Sequence, residues 1–409
     1  MTPQDEIGTD RAGGLCPHFG VCGGCTAQDV PYAEQAARKA AMLEALFGEC
    51  WPFPIPVTPS PAVWHYRNKV DPTFARKRYD APPPPDFVRE TVLGFKQRGR
   101  WFAPLAIDEC RIGPEGLDRL LAAVRGWAEA RGLRAWDPRT GEGTLRALLV
   151  REGKRTGERM VVLLTRGESF DKASFVRVVL DAFPATSVQH GVHRGAADGS
   201  LPETVEVLHG PPRIRERLIV PDEAAPRELL FHISPAGFFQ TNTLATELLY
   251  GKIRATVRAW RPRFLYDLYG GSGGIALACA DLVERVYSVE SVAQATLDGR
   301  DNARANGVAN VAFITADTKR YLLDLERSTG LPPESAVVVD PPRAGLQAKV
   351  IKRLRALRAP LLVYVSCNPQ QLAHELPDLL KVYRLHEVQA VDLFPHTPHV
   401  EVVAEFRLS

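Results

Sequence analysis

The sequence contains no apolar run long enough to cross a membrane. A membrane-spanning helix needs about 20 consecutive apolar residues, and no segment of the 409 residues approaches that length. The first residues, MTPQDEIGTDRAGG, are polar and lack the apolar core of a secretory signal peptide. We therefore expect a cytoplasmic protein that does not bind membranes, and we expect it to be a monomer.

The chain also lacks a strong bias of charge. Its 51 Lys and Arg residues and 48 Asp and Glu residues give a formal net charge of +3, which permits a nucleic-acid partner without requiring one. Basic runs occur at 76–80 (RKRYD), 96–100 (KQRGR) and 213–217 (RIRER). They favour a basic face in this part of the chain, although solvated surface would explain any one run alone.

The sequence has no internal repeat and no long low-complexity tract, so changes of pattern define its domains. Residues 1–60 combine a Gly- and Cys-rich segment with a helix, which the helical spacing of apolar residues predicts at 32–47. Residues 61–230 contain short strands separated by turns, which predicts a mixed, mainly antiparallel α+β domain. Residues 231–409 alternate strands with helices, the pattern of a doubly wound parallel α/β sheet.

A Gly-rich turn follows the first strand of this C-terminal region. In DLYGGSGGIALA (267–278) the glycines let the backbone approach a ligand at the carboxyl edge of the sheet, although tight turns also use Gly without a ligand. Glu290 ends the next strand, where a carboxylate can bind ribose hydroxyls, and Asp317 ends the third strand, where it can lie near an adenine. Together they indicate a nucleoside cofactor, while the absence of a Walker lysine argues against nucleotide hydrolysis.

Three further polar residues are expected at the same sheet. Asp340 in VVVDPPRAGL ends the fourth strand before two stiffening prolines, unless it is a simple strand terminator. Cys367 in LLVYVSCNP ends the fifth strand, where a thiol is either a nucleophile or a small core residue. Glu401 lies in an apolar strand, where burial would raise its pKa and suit it to act as a base, unless it faces solvent.

Four cysteines have the spacing of a metal centre. Cys16, Cys22 and Cys25 lie in CPHFGVCGGC, and Cys110 lies in IDECRIGP. Disulfides are not expected in a cytosolic chain of this size, whereas three close thiols and one distant thiol suit a tetrahedral site. Zinc bound by four cysteines and a [4Fe–4S] cluster both fit this pattern.

Five segments occur in the order found in RNA uracil-C5 methyltransferases: SPAGFFQTN, DLYGGSGG, VDPPRAGL, YVSCNP and FPHTPHVE. The sequence therefore resembles the S-adenosylmethionine-dependent enzymes that form 5-methyluridine in ribosomal and transfer RNA. The resemblance covers most of the chain, and SCNP with FPHTPHVE is its most specific part. It implies a class I (Rossmann-like) methyltransferase domain at 231–409, a central RNA-binding domain at 61–230 and an N-terminal iron–sulfur loop within 1–60.

The resemblance implies that Cys367 is the nucleophile and Glu401 the base. Uracil C5 is a poor nucleophile, so a thiolate first adds to C6 and C5 then attacks the sulfonium methyl group. A base removes the C5 proton and the thiol is expelled. The target uridine must leave its stack, so a flipped-out base or a single-stranded loop is expected.

The resemblance also implies the ligands of two cofactors. The residues that contact S-adenosylmethionine are Gln240, Tyr269, Gly274, Glu290, Asp317 and Asp340. The four cysteines resemble the [4Fe–4S] site of the ribosomal-RNA branch, which favours the cluster over zinc at Cys16, Cys22, Cys25 and Cys110. Since transfer-RNA members often lack the cluster, we expect 5-methyluridine in 23S ribosomal RNA, with transfer RNA as the alternative. Many relatives carry an N-terminal β-barrel RNA-binding module, and with Cys16 so early we expect none here.

Two other classes of function remain open. A non-catalytic RNA-binding module would retain a basic face but would need neither Cys367 nor Glu401. A DNA cytosine-C5 methyltransferase uses similar chemistry, but its nucleophile typically lies in a Pro-Cys context after the fourth strand. In this sequence the fourth strand ends in DPPR and the cysteine follows the fifth strand, so both alternatives are disfavoured.

Overall fold

The computed structural model describes residues 14–81, 83–84, 87–195 and 202–409. The polar segment before residue 14 lies outside the described residues. In the described part of the chain, no helix has both the length and the apolar character that crossing a membrane requires.

The chain divides into two compact units. The first comprises the described residues up to Asp29, Val63–Glu216 and Ile233–Ala236, and the second comprises Val30–Ala62, Arg217–His232 and Gly237–Ser409. The predicted helix at 32–47 therefore groups with the C-terminal region, while the Cys-rich segment before it groups with the central one. The boundaries expected at 60 and 230 stay a prediction.

The helices and strands of the described residues are as follows. The helices are α1 (Tyr32–Phe47), α2 (Leu117–Ala130), α3 (Lys172–Ala182), α4 (Thr243–Trp260), α5 (Gly274–Cys279), α6 (Ala293–Ala305), α7 (Thr318–Arg327), α8 (Ala348–Leu357) and α9 (Pro369–Leu379), with a 3₁₀ turn at Ala280–Leu282. The strands are β1 (Val57–Thr58), β2 (Lys69–Val70), β3 (Thr73–Arg76), β4 (Thr91–Gln97), β5 (Arg100–Ala106), β6 (Leu145–Glu152), β7 (Arg159–Thr165), β8 (Ser187–Val192), β9 (Thr204–His209), β10 (Ile214–Val220), β11 (Arg227–Ile233), β12 (Phe264–Leu268), β13 (Arg285–Glu290), β14 (Val311–Thr315), β15 (Ser335–Val339), β16 (Leu361–Ser366), β17 (Tyr383–Val391) and β18 (Glu401–Leu408).

The first unit contains a mainly antiparallel sheet. Its described strands have the order β5-β4-β3-β6-β7-β8-β9, with β2 beside β6, and β7 and β8 run parallel. Leu148 of β6 and Val161 of β7 share a buried core with Leu121 of α2 and Phe175 of α3. Apolar side chains of two helices and a sheet are thus removed from water together. The predicted mixed, mainly antiparallel fold of this region is confirmed.

The second unit contains a doubly wound sheet, as predicted. Among the described strands the order is β1-β17-β18-β16-β15-β12-β13-β14, in which β16, β15, β12, β13 and β14 run parallel. From β12 the chain adds β13 and then β14 on one side of the sheet. It then returns to place β15 on the other side of β12. A crevice forms outside the carboxyl ends at such a reversal point, where ligands of open α/β sheets bind.

The last strand runs against its neighbours. β18 pairs antiparallel with β16, and Ser366 at the end of β16 lies opposite Val402. The first residue of β18, Glu401, is therefore brought to the edge at which the parallel strands end. This reversal is what allows a residue at a strand start to share a site with residues at strand ends.

Candidate active site

Cys367 occupies the junction between a buried strand and a helix. β16 is buried along its whole length, and α9 begins two residues after the cysteine, with Pro369 in its first turn. The Asn368 side chain accepts a hydrogen bond from the backbone N–H of Gln371, and the Ser366 hydroxyl accepts one from the N–H of Asn368 at 3.2 Å. These bonds satisfy groups that a helix start leaves unpaired. The half-buried thiol is thus held on a stiff turn.

The Cys367 thiol lies among acidic groups and one cation. Burial, followed by the charges of Glu401 and Asp340, raises its pKa to about 11. The guanidinium of Arg343 acts in the opposite direction, because it hydrogen-bonds the sulfur and favours the thiolate. A thiol can ionise here when positive charge outweighs the two carboxylates, so the local charge balance controls its reactivity.

Glu401 is almost completely buried, with 1% of its side chain exposed. Burial, and then the charge of Asp340, raises the pKa of its carboxyl group well above the ordinary value, and Arg343 opposes this shift. Asp340 is itself raised in pKa by burial and by Asp267, while Gln240 donates a hydrogen bond to its Oδ2 at 3.3 Å. A carboxyl group in this setting holds a proton more readily than a solvated one, as a general base must after proton transfer.

A pocket beside these residues lies at the crevice between β12 and β15. Four of the predicted cofactor residues line it: Gln240, Tyr269, Gly274 and Asp340. Gly274, the first residue of α5, lies against Tyr250 so closely that a Cβ atom there would overlap the tyrosine hydroxyl. The glycine is therefore required for the helix to start this close to the pocket.

The other two predicted cofactor residues, Glu290 and Asp317, do not line the pocket. Glu290 accepts hydrogen bonds from the backbone N–H of Gly271, at 3.2 Å, and of Val292, at 2.8 Å. It therefore ties the end of β13 to the Gly-rich turn. Asp317 is exposed and caps α7 by accepting a hydrogen bond from the N–H of Arg320 at 3.0 Å.

Two residues of the site were missed by the sequence reasoning. Arg343 lies in the quoted segment VDPPRAGL, but a basic residue in an exposed loop gives no signal of its proximity to a thiol 24 positions later. Tyr250 lies on α4, and burial and then Asp340, Asp267 and Glu401 raise the pKa of its phenol well above the usual range. Its helical position carries no motif, so only the fold reveals it.

The four cysteines predicted to bind metal lie together in the first unit. They line one cavity of about 800 Å³. Burial raises the pKa of both Cys25 and Cys110, and the charge of Cys22 acts in the same direction. Among the described residues, however, no group of three or more His, Cys, Asp or Glu side chains is arranged to hold a metal ion. The structure therefore brings Cys16, Cys22, Cys25 and Cys110 together but does not support the predicted metal centre.

Comparison with known proteins identifies the family. A family model described as tRNA (Uracil-5-)-methyltransferase matches residues 212–405. An uncharacterized RNA methyltransferase of Protochlamydia amoebophila is 35% identical over 412 residues, covering 96% of this chain and 90% of that protein. The tRNA (uracil(54)-C(5))-methyltransferase of Pyrococcus horikoshii is 32% identical over 398 residues, covering 97% and 86%. The chain belongs to the RNA uracil-C5 methyltransferase family.

A solved structure of a family member supports the fold of this methyltransferase. The tRNA (uracil-54, C5)-methyltransferase of Pyrococcus abyssi, in complex with S-adenosyl-L-homocysteine, matches with a TM-score of 0.74 and 29% identity. The match covers 95% of this chain and 86% of that chain. The protein is thus an S-adenosylmethionine-dependent RNA (uracil-C5)-methyltransferase with a Rossmann-like cofactor domain. The predicted assignment to the 23S ribosomal-RNA branch finds no support, because the Pyrococcus horikoshii and Pyrococcus abyssi proteins are named as transfer-RNA methyltransferases and the Protochlamydia amoebophila protein is named for no particular RNA.

Proposed function

We propose that this methyltransferase forms 5-methyluridine in transfer RNA, with Cys367 as nucleophile and Glu401 as base. The observation that carries the proposal is the convergence of these two residues at one edge of the sheet, where burial and then the charge of Glu401 raise the pKa of the Cys367 thiol. A core cysteine would need no such neighbour, and a solvent-facing glutamate would not be buried.

The reaction requires each residue at a different step. The Cys367 sulfur forms a bond to uracil C6, and the electron pair of the C5–C6 double bond moves into the enolate. S-adenosylmethionine supplies the methyl group that C5 takes. Glu401 then accepts the C5 proton, the C5–C6 double bond re-forms, and the C6–S bond breaks with its electron pair on sulfur. Arg343, which contacts the thiol, stabilises the thiolate before addition and after expulsion.

The donor is proposed to occupy the pocket at the β12–β15 crevice. Gln240, Tyr269, Gly274 and Asp340 line this pocket, and Asp340 also affects the pKa of both Cys367 and Glu401. One carboxylate thus joins the pocket to the catalytic pair, as a reaction between donor and uracil requires. Glu290 and Asp317 are assigned to the outer part of the donor, where strand-end carboxylates bind ribose and base.

Transfer RNA is the substrate that the comparisons favour over 23S ribosomal RNA. The Pyrococcus horikoshii and Pyrococcus abyssi proteins are both named for uracil 54 of transfer RNA. This choice is tested by offering the enzyme three substrates in separate reactions. They are an unmodified transfer-RNA transcript, the same transcript with cytidine at position 54, and fragments of 23S ribosomal RNA. We expect label from S-adenosylmethionine only in the first. Label in a 23S fragment alone would show that the ribosomal target is correct.

The catalytic roles are tested by two substitutions. Cys367→Ala should abolish methylation and covalent attachment to RNA, since no thiolate can add to C6. Glu401→Gln keeps the size of the side chain but removes the base, so the methylated adduct should accumulate as a slow-migrating band on a denaturing gel. The band should require S-adenosylmethionine. Turnover of Glu401→Gln at the wild-type rate would contradict the role of this residue as base.

We further propose that the cysteine-lined cavity holds a [4Fe–4S] cluster. Cys16, Cys22, Cys25 and Cys110 would be its ligands, and a cubane spaces its cysteine sulfurs farther apart than a single ion does. Arg67 lines the same cavity, and among the described residues its buried Nε atom has no hydrogen-bond partner. A buried N–H donor of this kind can hydrogen-bond an anionic group bound in the cavity, such as a thiolate-bound cluster.

Metal analysis tests the cluster proposal. Protein purified without oxygen should contain about four irons per chain together with sulfide. Cys110→Ser should lose iron and melt at a lower temperature, because a cluster holds a segment that has little core of its own. Cys50→Ser is the matched control, since Cys50 is likewise half-buried but lies outside the cavity. Iron-free protein with stoichiometric zinc would exclude the cluster.

A further inference from the structure

The loop that leads into Glu401 has an unusual backbone. Residues 392–400 connect β17 to β18, and Val391 at the end of β17 pairs with Glu401 at the start of β18. Within this loop His396 has a φ of 64°, a left-handed conformation that is uncommon for a residue with a side chain. Such a conformation persists only where surrounding contacts hold it.

Helix α1 supplies these contacts from more than 350 positions away in the sequence. The backbone N–H of His396 donates to Gln35 Oε1 at 2.8 Å, and Gln35 Nε2 lies 3.2 Å from His396 Nδ1. One turn further along the helix, Lys39 Nζ donates to Asp392 Oδ1 at 2.8 Å and to the carbonyl of Phe394 at 3.1 Å. The first half of the loop, residues 392–396, is therefore bonded to one face of α1 at both its first and its last residue.

The face of α1 that carries Gln35 and Lys39 is buried. Gln35 is 3% exposed, Lys39 is 4% exposed and Asp392 is fully buried. Burying an amide and an ion pair costs free energy unless each group is bonded. Apolar side chains would fill this interface at a lower cost in free energy. The polar contacts on this face therefore indicate a role other than packing.

The bonds of Gln35 also fix the state of His396. An amide Nε2 atom only donates hydrogen bonds, so Nδ1 of His396 must be the acceptor and its proton must lie on Nε2. Nδ1 is then engaged by Gln35 and is not the atom that takes a proton from uracil. His396 is thus the residue at which Gln35 fixes the loop, five residues before Glu401.

We infer that Gln35 is a positioning residue for Glu401: through His396 it holds the loop that sets the carboxylate against uracil C5. The inference rests on the role of Glu401 proposed above. Its consequence is specific to one step, because proton removal depends on Glu401 whereas addition to C6 depends on Cys367, which lies on the separate β16–α9 turn. A displacement of the base on the order of 1 Å slows its step by roughly 100-fold.

The test compares Gln35→Leu with wild type on unmodified RNA in a single turnover. The expected result is adduct formation within about twofold of wild type, with release of methylated RNA slower by roughly 10- to 100-fold and the S-adenosylmethionine-dependent band accumulating. Gln35→Glu retains the acceptor for the His396 N–H but loses the donor to Nδ1, so it should recover part of the release rate. Arg38→Ala, on the exposed face of α1 where Arg38 pairs with Glu34, is the control and should behave as wild type.

Two results would overturn the inference. Release at the wild-type rate in Gln35→Leu would show that the loop does not need this contact. Equal slowing of addition and release, without recovery in Gln35→Glu, would show a general loss of structure. Glu401→Gln is measured alongside: if it traps the adduct while Gln35→Leu does not, only the positioning role fails. If Glu401→Gln turns over normally, the base assignment fails and the inference fails with it.

Discussion

Removal of the Arg343 guanidinium should make the Cys367 thiol a weaker acid. The pKa of this thiol is about 11 against a reference value of 9.0, so at neutral pH it holds about 100-fold less thiolate than a free cysteine. Arg343 is exposed, and screening by solvent limits its effect to about 1 kcal/mol. In Arg343→Ala the pKa should therefore rise further by about 0.7 units, which lowers the thiolate fraction about fivefold.

Alkylation of the free enzyme measures this directly. Iodoacetamide reacts with the thiolate, and peptide mass spectrometry separates Cys367 from the other six of the seven cysteines. Below the pKa the rate should rise about tenfold per pH unit between pH 7 and 10, since the protonated form dominates there. Arg343→Ala should show the same slope with rates about fivefold lower, and added salt should reduce the difference between the two proteins.

Arg343→Lys is the matched control, because it keeps the positive charge and loses only the planar guanidinium. Its alkylation rate should lie between those of wild type and Arg343→Ala. An unchanged or faster rate in Arg343→Ala would refute the reasoning, since the carboxylates of Glu401 and Asp340 would then not be opposed by this cation.

Three other outcomes follow from the donor pocket and from α1. Gly274→Ala should abolish S-adenosylmethionine binding in calorimetry, and Tyr250→Phe should restore part of it by removing the hydroxyl that the new methyl group would overlap. Glu290→Ala should weaken the binding of S-adenosylmethionine by about 1.5–3 kcal/mol, as expected for charge-assisted hydrogen bonds. Unchanged affinity would show that Glu290 does not contact the donor. Lys39→Met should lower the free energy of unfolding in urea by about 3–5 kcal/mol because it leaves the buried carboxylate of Asp392 without its cation. Adding Asp392→Leu should recover part of this stability, although it also removes the acceptor of the Tyr32 hydroxyl and the Phe394 N–H; no recovery would contradict this cause.

The parallel strands could be predicted from the sequence because burial on both faces makes them continuously apolar. The strand expected in LLVYVSCNP is observed at Leu361–Ser366, where every residue is buried, and the helix expected at 32–47 is observed at Tyr32–Phe47. The partner of that helix could not be predicted. Gln35 and Lys39 are polar, and their burial depends on hydrogen bonds to residues more than 350 positions away, together with a local bond from Gln35 to the carbonyl of Val30.

The site could be predicted where it depends on strand ends. Asp340 and Cys367 follow neighbouring parallel strands, so their proximity follows from the topology. The place of Glu401 depends on β18 running antiparallel, which an apolar pattern does not reveal. The position of Arg343 depends on the path of a loop. A loop has no sequence periodicity from which its path could be predicted. For the four cysteines, the spacing predicted a tetrahedral metal centre, whereas the described residues show their shared location without the geometry of a metal site.

The position of Arg343 beside both Cys367 and Glu401 has a consequence for the last step of the proposed reaction. Arg343 lowers the pKa of the thiol and of the carboxyl group alike. When Glu401 takes the C5 proton it loses its negative charge, and at the same moment the departing sulfur of Cys367 gains one. The total charge facing the guanidinium is therefore the same before and after this step, so a single cation stabilises the carboxylate before it and the thiolate after it.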